Sequence, residues 1–128
     1  MRRVHIVDDD PEIRDLLQQF LKGGGYAAST SEDGDAALAW LAENEADIVL
    51  LDLCMPGLSG MELLRRINEL YASVPVIVIS GHADEESARQ ALKSGAYDFF
   101  LKPFDLESVE SHLRMKLEMM DSAEESRP

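Results

Sequence analysis

Five short aliphatic runs, each followed by a stretch with helical spacing, leave this chain few ways to fold. The runs are Val4-His5-Ile6-Val7, the weaker Tyr26-Ala27-Ala28-Ser29-Thr30, Ile48-Val49-Leu50-Leu51, Val74-Pro75-Val76-Ile77-Val78-Ile79, and Asp98-Phe99-Phe100-Leu101. Continuous aliphatic character over a few residues is the mark of strands buried on both faces. Between the first two runs, Ile13, Leu16, Leu17, Phe20 and Leu21 fall at i, i+3, i+4, i+7 and i+8, a single apolar stripe. Asp10 is placed to cap that helix and Pro11 suits its first position. Gly23-Gly24-Gly25 ends it; a glycine run also suits a phosphate cradle, but this one follows a helix and precedes a strand.

Four more helices follow the same logic. One starts near Asp33 and turns Ala37, Leu38 and Leu41 inward; the next starts near Gly60 and uses Leu63, Leu64, Ile67 and Leu70. A helix near Asp84 to Ser94 offers only Ala88, Ala91 and Leu92, so it is expected to be the most loosely held. The last starts at Asp105 and buries Leu106, Val109, Leu113, Leu117 and Met120. Alternating strand and helix implies an α/β fold, a parallel sheet with right-handed crossovers and helices on both faces. Residues 1–120 are expected to form this single domain, and the polar stretch 121–128 to fray.

Composition narrows the function classes. Twenty-five acidic side chains against twelve basic ones leave a charge of −13, which argues against this chain gripping nucleic acid or an anionic membrane. The single cysteine, Cys54, excludes an internal disulfide and suits a reducing compartment. No apolar run approaches the roughly 20 residues that a membrane span requires. Met1-Arg2-Arg3 is basic, but the apolar stretch after it meets three aspartates, so it is no signal peptide. An acidic, soluble, cytoplasmic domain is the expectation.

In an open parallel sheet, function gathers beyond the carboxyl ends of the strands. The first strand delivers Asp8, Asp9 and Asp10, the third Asp52, the fourth Ser80, and the fifth Lys102 followed by Pro103. Each has an ordinary reading alone. The aspartates suit a helix start, Asp52 a turn before Met55-Pro56-Gly57, Ser80-Gly81 a turn, and Lys102-Pro103 a surface loop. Their joint appearance at successive strand ends is what points to a site. Packed carboxylates repel unless a cation or a proton relieves them, and a hard divalent ion such as Mg²⁺ suits oxygen ligands.

At these residues the chain resembles the receiver domain of two-component response regulators. The likeness runs from about Arg2 to Met120 through the segments HIVDDD (5–10), IVLLDLCMPGLSG (48–60), VIVISG (76–81) and GAYDFFLKPF (95–104). It implies a doubly wound (βα)5 fold of flavodoxin-like strand order 2-1-3-4-5, an order named for such receivers in general. It also implies that Asp52 is the phosphoacceptor, taking a phosphoryl group from a phosphohistidine on a sensor kinase or phosphotransfer protein. Asp9 and Asp52 would bind Mg²⁺ directly, Asp8 directly or through water, and the backbone carbonyl of Cys54 would complete the protein ligands. Lys102 and Ser80 would contact phosphoryl oxygens, Phe99 would be the aromatic switch, and the Lys102-Pro103 bond would be cis.

Some positions depart from the pattern. Ser59 stands where aspartate is common and still caps a helix; Gly81 replaces alanine and leaves the acceptor more open. Cys54 and His82 flank the acceptor, and two soft ligands are too few for zinc. Neither is bulky and fixed enough to seal the site, so a phosphorylated lifetime nearer minutes than many hours is expected. Ser108 and His112 replace a charged dimer network of one regulator subfamily, which leaves the oligomeric state open. Ile13 is core by periodicity and a phosphodonor contact by resemblance, while Met115 and Met119 lie off the buried face, either as ordinary exposed methionines or as an output contact. A flavodoxin would repel its flavin phosphate from Asp8 to Asp10. A haloacid-dehalogenase-type phosphatase using Asp8 would want a downstream acidic pair and a cap domain. No effector domain follows the last helix, so a stand-alone receiver or the front of a longer regulator is expected, with an output protein or a further domain as its target.

Overall fold

The computed structural model describes residues 1–53, 55, 59–81 and 86–122, with the backbone path alone at 85 and 123–125. The strands are β1 (Arg3–Val7), β2 (Ala27–Ser31), β3 (Ile48–Asp52), β4 (Val76–Ser80) and β5 (Asp98–Leu101). The helices are α1 (Pro11–Gly23), α2 (Gly34–Glu43), α3 (Gly60–Leu70), α4 (Glu85–Lys93) and α5 (Leu106–Glu125). All strand pairs are parallel and the sheet order is β2-β1-β3-β4-β5, as the resemblance implies.

Alternation along the strands sorts the core into two layers. Val4, Ile6, Ile48, Leu50, Ile77 and Ile79 pack with Leu17, Leu21, Val109, Leu113 and Leu117 of α1 and α5. Val7, Val49, Leu51, Val76 and Val78 pack with residues of α2, α3 and α4 on the opposite face. Every residue of β3 and β4 is buried, which is why those runs are aliphatic throughout.

Three apolar residues assigned inward by periodicity face water instead. Leu16, Leu70 and Leu92 are 48%, 65% and 50% exposed, each at the edge of a stripe whose centre already fills the available space. The thin face of α4 is as expected, with Ala91 buried and Ala88 half-buried. α5 is helical through Glu125, past residue 120. Leu117 and Met120 pack on the core, and Asp121 pairs with Arg2 at the start of the chain.

Local chemistry sets the helix starts. Asp10, Asp33 and Ser59 each accept a backbone N–H from the first turn they precede. Ser59 and Glu62 have the spacing of a capping box, and Ser59 Oγ accepts the Glu62 amide at 3.2 Å.

Candidate functional site

The register brings the strand-end residues together. Val7 lies opposite Leu51, and Asp52 opposite Ile79. Asp8 therefore sits one step beyond β1, next to Asp52 at the end of β3. Asp8 and Asp52 are buried, whereas Asp9 is exposed. One carboxylate oxygen from each of Asp8, Asp9 and Asp52 lies within 4.8 Å of the others.

Asp8 is held at every polar position. Its amide donates to the Ser31 carbonyl at 3.3 Å, and its own carbonyl accepts Arg14 Nη1 at 2.7 Å. Oδ1 accepts the Asp10 amide at 2.9 Å, and Oδ2 accepts Lys102 Nζ at 3.0 Å. Both carboxylate oxygens are therefore engaged.

Lys102 also reaches Asp52 Oδ2, at 3.4 Å. Burial is the largest influence on its ammonium and pushes the pKa down. The hydrogen bond to Asp8 and the charge of Asp52, followed by the charge of Asp8 and the bond to Asp52, outweigh it and leave the pKa above the ordinary lysine value. The ammonium thus stays charged between two buried carboxylates. Its backbone amide donates to the Ser80 carbonyl at 2.8 Å, so the ends of β4 and β5 are tied at the site. The Lys102-Pro103 peptide is cis.

A close backbone approach fixes the far side of Asp52. A Cβ on Gly60 would stand 2.3 Å from Leu53 Cα and 2.5 Å from the Asp52 carbonyl oxygen, so only glycine fits. Its amide donates to the Leu53 carbonyl at 3.2 Å, drawing the start of α3 against the end of β3.

The donor set fits a hard divalent ion. Three oxygen donors with converging negative charge, two of them buried and met by one ammonium, still carry excess negative charge. Ser80 is buried, and by alternation with Val76 and Val78 it faces the α2, α3 and α4 layer, against which Phe99 also packs. The two residues named as a switch therefore share one face of the sheet. Cys54 and His82 lie outside the described residues. Ile13 is half-buried against the α1 and α5 layer, while Met115 and Met119 are exposed.

Two residues were not legible as site or core features. Arg14 is a cation in the first turns of a helix, where the helix dipole favours acids; that misplacement was the available signal. His5 is fully buried, its ring nitrogens 2.7 Å from Ser29 Oγ and Ser31 Oγ, and it stacks on Trp40 at 3.9 Å between centroids. Burial pushes its pKa down to about 4, so the ring is neutral near pH 7. A polar residue inside an aliphatic run needs partners, and alternating serines on the neighbouring strand supply them.

Comparison with known proteins agrees with this geometry. The response regulator receiver domain profile matches residues 4–114. The nitrogen assimilation regulatory protein NtrX of Azorhizobium caulinodans is 43% identical over 106 residues, covering 81% of this chain and 23% of that protein. The DNA-binding transcriptional regulator NtrC of Salmonella typhimurium is 40% identical over 106 residues, covering 83% of this chain and 23% of its own length. A CheY-like receiver domain protein from Methanospirillum hungatei superposes with a TM-score of 0.92 at 27% identity, covering 96% of this chain and 98% of that one. The chain belongs to the response regulator receiver family. It is a signalling domain of two-component systems, and it spans about a quarter of the length of the curated relatives first compared. Among the described residues no helix is long and apolar enough to cross a membrane.

Proposed function

We propose that Asp52 accepts a phosphoryl group from a phosphohistidine, on a sensor kinase or phosphotransfer protein, in a Mg²⁺-dependent reaction. The observation that carries this reading is Lys102 Nζ bridging Asp8 and Asp52 at 3.0 and 3.4 Å. An Asp52 oxygen attacks phosphorus, the P–N bond breaks, and the donor imidazole keeps the electron pair and takes a proton. Asp9 and Asp52 would hold Mg²⁺, with Asp8 directly or through water, and the ion would supply charge neutralisation for the phosphoryl group. The chain itself supplies positioning: Lys102 already faces Asp52, and its ammonium can follow the new negative charge.

In this reading the Cys54 backbone carbonyl would complete the metal ligands. The same groups catalyse transfer from small donors and later hydrolysis. Ser80 then turns toward the acyl phosphate and Phe99 rotates into the space it leaves, shifting the thinly packed α4. Ile13, with exposed Leu16 beside it on α1, offers the donor an apolar contact; Met115 and Met119 offer one to an output protein or domain. The NtrC relative is a DNA-binding regulator, and the charge of −13 places any such contact outside this chain.

Incubation with acetyl phosphate and Mg²⁺ tests the reading. The wild-type chain should gain one phosphoryl group and Asp52→Asn none. Equal phosphorylation of the Asn variant at the same rate would move the acceptor elsewhere, with Asp8 the first suspect.

A further inference from the structure

Arg14 donates Nη1–H to the carbonyl of Asp8 at 2.7 Å, reaching back from α1 across the turn that carries the acidic residues. That turn has further restraints, among them Lys102 Nζ on Asp8 Oδ2 at 3.0 Å. The Asp8 amide bonds the Ser31 carbonyl at 3.3 Å, the Asp10 amide bonds Asp8 Oδ1 at 2.9 Å, and Asp10 Oδ1 accepts the Glu12 amide at 2.9 Å. The bond from Arg14 fixes the plane of the peptide joining Asp8 to Asp9. Rotation of that plane would carry the Asp9 carboxylate, which is exposed, out of the group it forms with Asp8 and Asp52.

Two physical considerations give the contact weight. A guanidinium in the first turns of α1 meets the positive end of the helix dipole, so the fold holds it there against a preference. Repulsion among the three carboxylates also drives Asp9 toward water, and a charge-assisted bond to the adjoining peptide opposes that motion.

We infer that Arg14 is a positioning residue of the metal site: by clamping the Asp8 carbonyl it preorganises Asp9 to meet the divalent ion. This rests on the reading of the three carboxylates as a Mg²⁺ site, and it adds a residue that touches neither metal nor phosphoryl group. Its role is to reduce the ordering that metal binding must otherwise impose.

The test compares the wild-type chain with Arg14→Met and Arg14→Lys in two measurements. One is Mg²⁺ titration; the other is hydrogen exchange of the Asp10 amide without metal. The methionine variant should bind Mg²⁺ about tenfold more weakly, the scale of one charge-assisted bond partly realised. Its Asp10 amide should exchange correspondingly faster. The lysine variant, with one shorter donor, should fall between methionine and wild type in both.

Unchanged Mg²⁺ affinity in the methionine variant would overturn the inference. Weaker binding with unchanged Asp10 exchange would overturn it too, since the loss would then not come from a loosened turn; the lost positive charge alone would strengthen Mg²⁺ binding. If the methionine variant fails to fold, wild-type values for the lysine variant in both measurements would have the same force. A wild-type chain indifferent to Mg²⁺ would instead remove the metal reading, while the exchange measurement still decides whether Arg14 holds the turn.

Discussion

Lys102 Nζ lies 3.0 Å from Oδ2 of Asp8, a residue 94 positions earlier in the chain. The contact joins the ends of the first and last strands and gives a fully buried carboxylate its counter-charge. Removing the ammonium leaves Asp8 and Asp52 facing each other with less compensation. Lys102→Met should therefore lower stability without metal by about 2 kcal/mol, moderated by partial solvent access at the lysine. Mg²⁺ should restore part of that loss. Urea unfolding with and without Mg²⁺ measures both effects, and a variant as stable as wild type in metal-free buffer would show that the pair contributes nothing net.

Asp9 should behave in the opposite way. It is exposed and belongs to the carboxylate group, but no bond to Lys102 holds it. Asp9→Asn removes repulsion, so the metal-free chain should melt higher than wild type. Losing a ligand should also weaken Mg²⁺ binding by at least about tenfold, given what even outer-shell losses cost. Thermal melts across a Mg²⁺ series read out both signs. A metal-free melting temperature below wild type would contradict the repulsion.

Gly60 tests the backbone geometry rather than the charges. Alanine would press its methyl group on Leu53 Cα and the Asp52 carbonyl oxygen, both main-chain atoms that cannot turn aside. Gly60→Ala should cost about 2–3 kcal/mol and displace the end of β3. Slower phosphorylation should accompany the loss. Full stability in this variant would mean that the α3 start has room to retreat.

His5 gives the chain a pH dependence away from the site. Burial lowers its folded-state pKa from 6.5 to about 4, so unfolding takes up a proton between those values. Its contribution is complete above about pH 6.5 and is lost as pH falls toward about 4, in total roughly 3 kcal/mol. His5→Gln removes the titration. Between about pH 7 and pH 5, wild type should lose about 2 kcal/mol more than the variant, a difference that cancels the carboxylates common to both. Trp40, stacked on His5, provides the fluorescence signal for unfolding. Parallel pH profiles would show that the ring titrates normally.

What the sequence made legible follows from which interactions are local. The aliphatic runs of β1, β3 and β4 are legible because both sheet faces are covered, and the aspartates and lysine because they end strands. Sheet order was not: nothing in five alternating units states which strands are neighbours, and the order came with the resemblance. Leu16, Leu70 and Leu92 were misplaced because helical periodicity marks a face and not its width. Arg2 meets Asp121 of α5 from more than a hundred residues away, a pairing that spacing along the chain does not announce. Arg14 and the His5 pair of serines are polar contacts between elements, set by the three-dimensional path of the chain rather than by spacing along it.

The most direct test of Asp52 as the acceptor is chemical mapping of the phosphorylated residue. Borohydride reduces an aspartyl phosphate to homoserine, which tandem mass spectrometry locates in the chain. After reaction with a phosphohistidine donor and Mg²⁺, homoserine should appear at position 52, and omission of Mg²⁺ should abolish it. Homoserine at position 8, 9 or 10, with aspartate intact at 52, would contradict the account.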